Sequence, residues 1–129
     1  MKVALILDDT TDNMVIMHLL LEHLGYDVML VQEMQEGLRI LSATPRGFLV
    51  LLGDTLDALA TLAVVEETPV LQRHIYLLLM DNGEPLPAFA RRVIRHDVLL
   101  VLRRPWTIAL AIRAVEYAEH CLHQRSVSP

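Results

Sequence analysis

Short uniformly apolar runs alternate along this chain with stretches in which apolar positions recur every three or four residues. Runs of strand length that are apolar throughout suit strands buried on both faces, and the longer spacing gives a helix one apolar stripe. Lys2–Leu7 reads as the first strand. A helix from Asp12 to about Leu24 follows, with Met14, Met17, Leu20, Leu21 and Leu24 facing the sheet, and Gly25 ends it. Tyr26–Val31 is the second strand, and a helix from about Met34 to Ser42 turns Leu38 and Leu41 inward. Pro45 and Gly47 then lead into Phe48–Leu52, apolar end to end as a central strand should be. A third helix from Thr55 to about Glu66 is punctuated by Pro69, and Ile75–Leu79 is the fourth strand. The loop MDNGEPLP carries turn residues, a short helix covers Ala88 to Arg95, and Val98–Leu102 is the fifth strand. Pro105 opens a last helix, about Thr107 to His123, whose buried stripe is Leu110, Ala114, Val115 and Ala118. Residues 1–124 are expected to form one domain and 125–129 a frayed tail. This alternation predicts an α/β fold, a doubly wound five-stranded parallel sheet with helices on both faces and a site at the carboxyl ends of its strands.

Composition agrees with one well-filled core. Of 129 residues 53% are hydrophobic and 21% charged, and the mean hydropathy is +0.40, which excludes a disordered chain. FLVLL and VLLVL are strand-length runs, far short of the roughly 20 residues that span a bilayer, so no membrane contact is expected. The apolar stretch of MKVALILDD stops at two aspartates, too short for a secretory signal, which points to the cytoplasm. Cys121 is the one cysteine and excludes an intrachain disulfide or thiolate cluster. The net charge of −5 disfavours direct nucleic-acid binding. Its distribution is uneven: residues 1–64 hold nine acids and three bases, residues 65–129 seven acids and eight bases. Arg91, Arg92, Arg95, Arg103 and Arg104 cluster in one segment, either a solubilising face or a docking surface for a protein partner.

The strand ends hold the candidate chemistry. Strand one ends in Asp8-Asp9, strand three in Gly53-Asp54-Thr55, strand four in Leu79-Met80-Asp81 and strand five in Arg103-Arg104-Pro105. Adjacent carboxylates repel unless a hard cation or a base neutralises them, which suggests a Mg2+ site at Asp8 and Asp9, completed by Asp54 or the Thr55 backbone. The alternative is a solvated loop in which Asp9 or Asp12 caps the next helix. Asp54 has the same two readings, part of that Mg2+ site or a cap for the third helix. Glu116, His120 and His123 are spaced to share a helix face and could hold a transition metal, or form a solvated outer face. His18 and His23 read as surface residues, and the methionines, Met29 and Met80 among them, as core filler. No Gly-rich phosphate loop, nucleophile elbow or dinucleotide fingerprint is present, so no enzyme class is indicated.

The opening VALILDDTTDNMVIMHLLLEHLGYDVMLV, the run FLVLLGD and the segment RRPWT together resemble the receiver domain of bacterial two-component response regulators, over essentially the whole chain. The resemblance implies the CheY-like, flavodoxin-like strand order 2-1-3-4-5, a metal-binding acidic pair at Asp8 and Asp9, and a cis Arg104-Pro105 peptide. It also implies signalling through a sensor kinase or downstream effector, and a dimer or output face on helix four, strand five and helix five. Several positions depart from the family pattern. Gly53 stands at the phosphate-accepting aspartate, and Leu79, or Met80 by another count, at the hydroxyl residue. Arg104 stands at the lysine and Val101 at the aromatic switch. A glycine cannot form an acyl phosphate, and Arg104 puts a planar fork where the family has a compact ammonium. The resemblance therefore implies a degenerate, stand-alone receiver that acts by protein contact, with Arg91, Arg92, Arg95, Val101, Arg104 and Pro105 on its interaction surface. Two other readings stay open: a phosphorelay receiver modified off-register at Asp54 by a histidine kinase, and a Mg2+ or small-ligand sensor using the acidic cleft.

Overall fold

Strands that are apolar end to end belong in the middle of a sheet, because only there are both faces and both edges covered. The computed structural model, which describes residues 2–7, 12–53, 56–81, 83, 85–86, 88–95 and 98–127, has this arrangement. β1 (Lys2–Leu7), β2 (Tyr26–Val31), β3 (Leu49–Leu52), β4 (Ile75–Asp81) and β5 (Leu99–Arg104) form one parallel sheet in the order β2-β1-β3-β4-β5. All of β3 is buried, whereas the edge strand β2 buries only its ends. The helices are α1 (Asp12–His23), α2 (Met34–Ala43), α3 (Leu56–Glu67), α4 (Ala88–Arg95) and α5 (Ile108–Val127).

Side chains of a strand alternate between faces, and each face has its own core. Leu5, Leu7, Val50, Leu52, Tyr76, Leu78 and Met80 pack with Leu41 of α2, Leu62 and Val65 of α3 and Ala90 of α4. Ala4, Ile6, Leu49, Leu51, Ile75, Leu77 and Leu79 pack with Met14, Met17 and Leu21 of α1 and Ala111, Val115 and Ala118 of α5. The sheet is therefore doubly wound, as the alternation predicts.

Local chemistry sets the boundaries. Gly25 takes the left-handed conformation, φ +91°, that ends α1, and its N–H bonds the Glu22 carbonyl at 3.1 Å. Thr107 caps α5, its hydroxyl accepting the Leu110 N–H at 3.1 Å. The carboxyl end of α2 is closed by side chains. Pro45 has no N–H for the Leu41 carbonyl, and the buried His74 ring supplies one: Nε2 donates to Leu41 O at 2.9 Å while Nδ1 accepts the Phe48 N–H at 2.8 Å. The Thr44 hydroxyl bonds the Ile40 carbonyl at 2.6 Å, and Arg73 donates to the Thr44 carbonyl at 2.7 Å.

The structure corrects several expectations. β4 runs on to Asp81 and β5 to Arg104, because Met80 pairs with Arg103 and Asp81 with Arg104, and a hydrophobic pattern does not register polar strand ends. Pro69 does more than punctuate: Pro69–Arg73 form a short 3-10 helix. α5 extends to Val127, so residues 125–127, expected in the tail, are helical. Leu110 is 45% exposed and leaves the buried stripe to the small residues Ala111, Ala114, Val115 and Ala118, which let α5 approach the sheet closely. Met29 is 38% exposed, since β2 is an edge strand with an uncovered middle. No described helix is long and apolar enough to cross a membrane.

Candidate functional site

Strand register fixes what stands at the carboxyl end of the sheet. Leu7 of β1 is level with Leu52 of β3, Leu52 with Leu78 of β4, and Leu79 with Leu102 of β5. Gly53 follows Leu52 directly, so it stands beside Leu79. The two share the α1 and α5 side: a Cβ on Gly53 would meet Met14 Cε at 3.8 Å, and Leu79 packs in the core cluster that includes Met14. Met80 packs on the other face, so Leu79 is the neighbour of Gly53. Gly53 is buried, and Leu79 and Leu102 are 2% and 8% exposed. Among the described residues this corner of the site thus offers a backbone carbonyl and aliphatic carbon, with no carboxylate or hydroxyl. Asp8, Asp9, Asp54 and Thr55 lie outside the described residues, as do the side chain of Asp12 and the helix caps considered for Asp9, Asp12 and Asp54.

The open edge beside β5 is polar. Arg104 Nε lies 3.0 Å from Asp81 Oδ1, and Arg103 donates to the Asp81 carbonyl at 3.2 Å. The half-exposed Arg104 guanidinium is therefore engaged at the sheet edge by the residue opposite it in register. The Arg104-Pro105 peptide is cis. Trp106 follows, packed on the α1 and α5 side, and its indole N–H is buried with no hydrogen-bond partner among the described residues. Val101 is partly buried against the opposite core cluster.

The arginine segment is dispersed by the fold. Arg92 of α4 forms a two-point ion pair with Glu66 of α3, while Arg91 is exposed. The side chain of Arg95 lies outside the described residues. On α5, Ile108, Leu110 and Tyr117 expose large apolar side chains. Glu116, His120 and His123 are all exposed, and among the described residues no three His, Cys, Asp or Glu side chains are grouped to hold a metal ion. His18 sits 3.4 Å from Glu22 on the surface of α1.

Sequence reasoning missed the opposite end of the sheet. There the Tyr26 hydroxyl donates to Glu119 Oε1 at 2.7 Å, and the Lys2 ammonium lies 3.1 Å from the same oxygen. Burial, with the Glu119 carboxylate beside it, pushes the Tyr26 phenol well above its ordinary range. Arg73, His74 and Arg125 converge nearby from positions far apart in the chain, and no periodicity marks such a cluster.

No protein-family model and no curated protein matches the chain. Solved structures do. NtrX from Brucella abortus in complex with ADP superimposes with a TM-score of 0.72 at 22% identity over 98% of this chain, which spans 28% of the NtrX chain. The signal receiver domain of an HD domain-containing protein from Pseudomonas fluorescens Pf-5 gives 0.72 at 19% identity, covering 97% of this chain and 91% of that one. The chemotaxis protein CheY4 from Vibrio cholerae gives 0.68 at 15% identity, covering 92% and 98%. The fold is that of response-regulator receiver domains, with the strand order 2-1-3-4-5.

Proposed function

We propose that this chain is a degenerate receiver domain that signals through protein contact and not through phosphorylation of an aspartate. The observation that carries the reading is the position of Gly53 on the same face as Leu79, one residue past the Leu52–Leu78 pair at the carboxyl end of the sheet, where phosphoryl transfer would need a carboxylate and a hydroxyl. Supporting it, Arg104 is turned to Asp81 at the edge and Val101 is a small aliphatic residue packed in the core. Asp8 and Asp9, the residues that would hold a Mg2+ ion, lie outside the described residues, and Asp81, a carboxylate at this end, is engaged by Arg104. No step of the reading depends on such an ion.

The partner is a sensor kinase or an effector, or a second copy of the chain. The face of α4, β5 and α5, with exposed Arg91 and with Leu110 and Tyr117 one above the other on α5, is the proposed contact surface. Cationic and apolar groups together suit a protein surface carrying carboxylates around an apolar centre.

The test is incubation with a small acyl-phosphate donor and Mg2+ followed by intact-mass spectrometry, with Asp54→Asn alongside. The expected result is an unmodified mass for both. An adduct present in the natural chain and lost in Asp54→Asn would replace this reading with an off-register phosphoreceiver. Gly53→Asp is the companion variant. With Met14 Cε at 3.8 Å as the near contact for a Cβ, it is expected to fold, but to lose about 1–3 kcal/mol because a carboxylate beside Leu79 is desolvated without a partner. Urea unfolding measures that loss, and an unfolded Gly53→Asp chain would mean that no receiver-like pocket survives at this position.

A further inference from the structure

At the amino ends of the strands, across the sheet from Gly53, lies a cavity of about 550 Å³. β1 and β2 contribute its edge, the 45–48 turn and Arg73 one wall, and the last turns of α5 the other. Its lining is charged against the trend of the chain. Lys2, Arg46, Arg73 and Arg125 face one carboxylate, Glu119, a balance of +3 with His123 neutral, in a protein whose net charge is −5. That carboxylate already receives the Tyr26 hydroxyl and the Lys2 ammonium. The partial negative charge at the end of α2, about half a unit, does not cancel the rest.

Arg73 is held in place by neutral acceptors, and Arg125 is tied to the backbone beside it. Arg73 donates from Nε to the Val70 carbonyl at 2.9 Å and from a terminal nitrogen to the Thr44 carbonyl at 2.7 Å. Arg125 donates to the carbonyls of Gln72 at 3.1 Å and His74 at 3.3 Å. A guanidinium fixed by backbone carbonyls keeps its charge and has lost its rotamer freedom before any ligand arrives, the condition under which a planar fork binds an oxyanion tightly. Among the described residues no carboxylate lies within ion-pair distance of Arg73. Val3, Pro45, Phe48 and Leu122 give the same cavity an apolar wall. A volume of this size takes a ligand larger than a lone anion.

We propose that this cavity binds a phosphorylated small molecule of nucleotide size, its phosphate on Arg73 and Arg125 and its apolar body against the wall at Phe48. The site is independent of the phosphoryl chemistry at the other end of the sheet, so it stands or falls apart from the reading above. It is also wired into the fold: the Phe48 N–H is bonded to His74 and the Phe48 carbonyl to the Ile75 N–H at 3.0 Å. Occupancy therefore braces the β3 and β4 entry and raises stability by mass action.

The experiment is titration of the full chain with AMP, inorganic phosphate and adenosine at fixed ionic strength, read by calorimetry and by amide chemical shifts. AMP is expected to saturate and to move the Gly47 and Phe48 amides while leaving Gly53 unmoved. Inorganic phosphate should bind the same residues more weakly, and adenosine should not bind. Arg73→Gln is expected to weaken AMP about tenfold or more, with Arg73→Lys intermediate. If Arg73→Gln does not fold, the shift map of the natural chain still decides. No saturable binding of AMP or phosphate at millimolar concentration, shifts centred on Gly53, or an unchanged affinity in a folded Arg73→Gln would each overturn the proposal.

Discussion

Replacing His74 with leucine is expected to cost about 3 kcal/mol of stability at pH 7.5, a large part of what a domain of this size has to lose. The ring is fully buried, and both nitrogens are used, one as acceptor and one as donor. Those two bonds fix the neutral tautomer, with the proton on Nε2. Leucine would fill the space and strand the Phe48 N–H and the Leu41 carbonyl, and Pro45 leaves that carbonyl no helical donor to fall back on. Urea unfolding of the two proteins measures the difference; a change under 1 kcal/mol would mean that water reaches these groups.

The same residue makes stability depend on pH. Burial, above all, pushes the His74 imidazole down from 6.5 to about 4, and the charges of Arg73 and Arg125 act in the same direction. Between those values the unfolded chain binds a proton that the folded chain refuses. Stability from His74 is therefore fully present above pH 6.5 and is lost as the pH falls toward 4, up to about 3 kcal/mol over that window. Other groups titrate there too, so the informative quantity is the gap between the natural chain and His74→Leu, which should close with falling pH. A gap that is constant from pH 7.5 to 4.5 would assign the effect to packing.

Neither residue set at the amino end of the sheet announces itself in the sequence, and the reason is geometric. The strands were legible because β1, β3 and β4 are apolar along nearly their whole length, and their hydrophobic runs place the core without knowledge of any contact. Gly53 and Leu79 could likewise be located, since counting along a strand carries a position onto its face. His74 sits between Arg73 and an apolar strand, with no period of its own. The signal that could have found it is Leu41 four residues before Pro45, a carbonyl that must seek a donor elsewhere. The arginine segment shows a related limit: clustering in sequence is visible, but the acids Glu66 and Asp81 that engage Arg92 and Arg104 are chosen by the fold. Leu110 was misplaced because the helix buries alanines, which a search for large apolar residues undervalues.

Among the glycines, Gly47→Ala is expected to be the most damaging, by about 2–3 kcal/mol, and Gly53→Ala the least. At Gly47 an ideal Cβ falls 2.6 Å from Leu122 Cδ2 and 2.7 Å from the Arg73 carbonyl oxygen. A leucine tip can swing away, but the Arg73 carbonyl belongs to the backbone between the 3-10 helix and β4, the segment that carries His74. Relief requires moving that segment or the 45–48 turn, and either opens the bonds from His74 to Phe48 and Leu41. Gly37→Ala provides the comparison. Its Cβ falls 2.5 Å from Leu7 Cδ2, equally close, but that atom is the end of a flexible side chain, and alanine in mid-helix returns up to about 1 kcal/mol of helix propensity. A net change within about 1 kcal/mol is expected there. Gly53→Ala, with 3.8 Å to Met14 Cε, should be near neutral. Urea midpoints of the three variants give the order directly. If Gly37→Ala proved as costly as Gly47→Ala, the distinction between a yielding side chain and a fixed carbonyl would fail. The Gly47 site would then be an ordinary crowded contact instead of the place where α2, the 3-10 helix and α5 are held to the sheet.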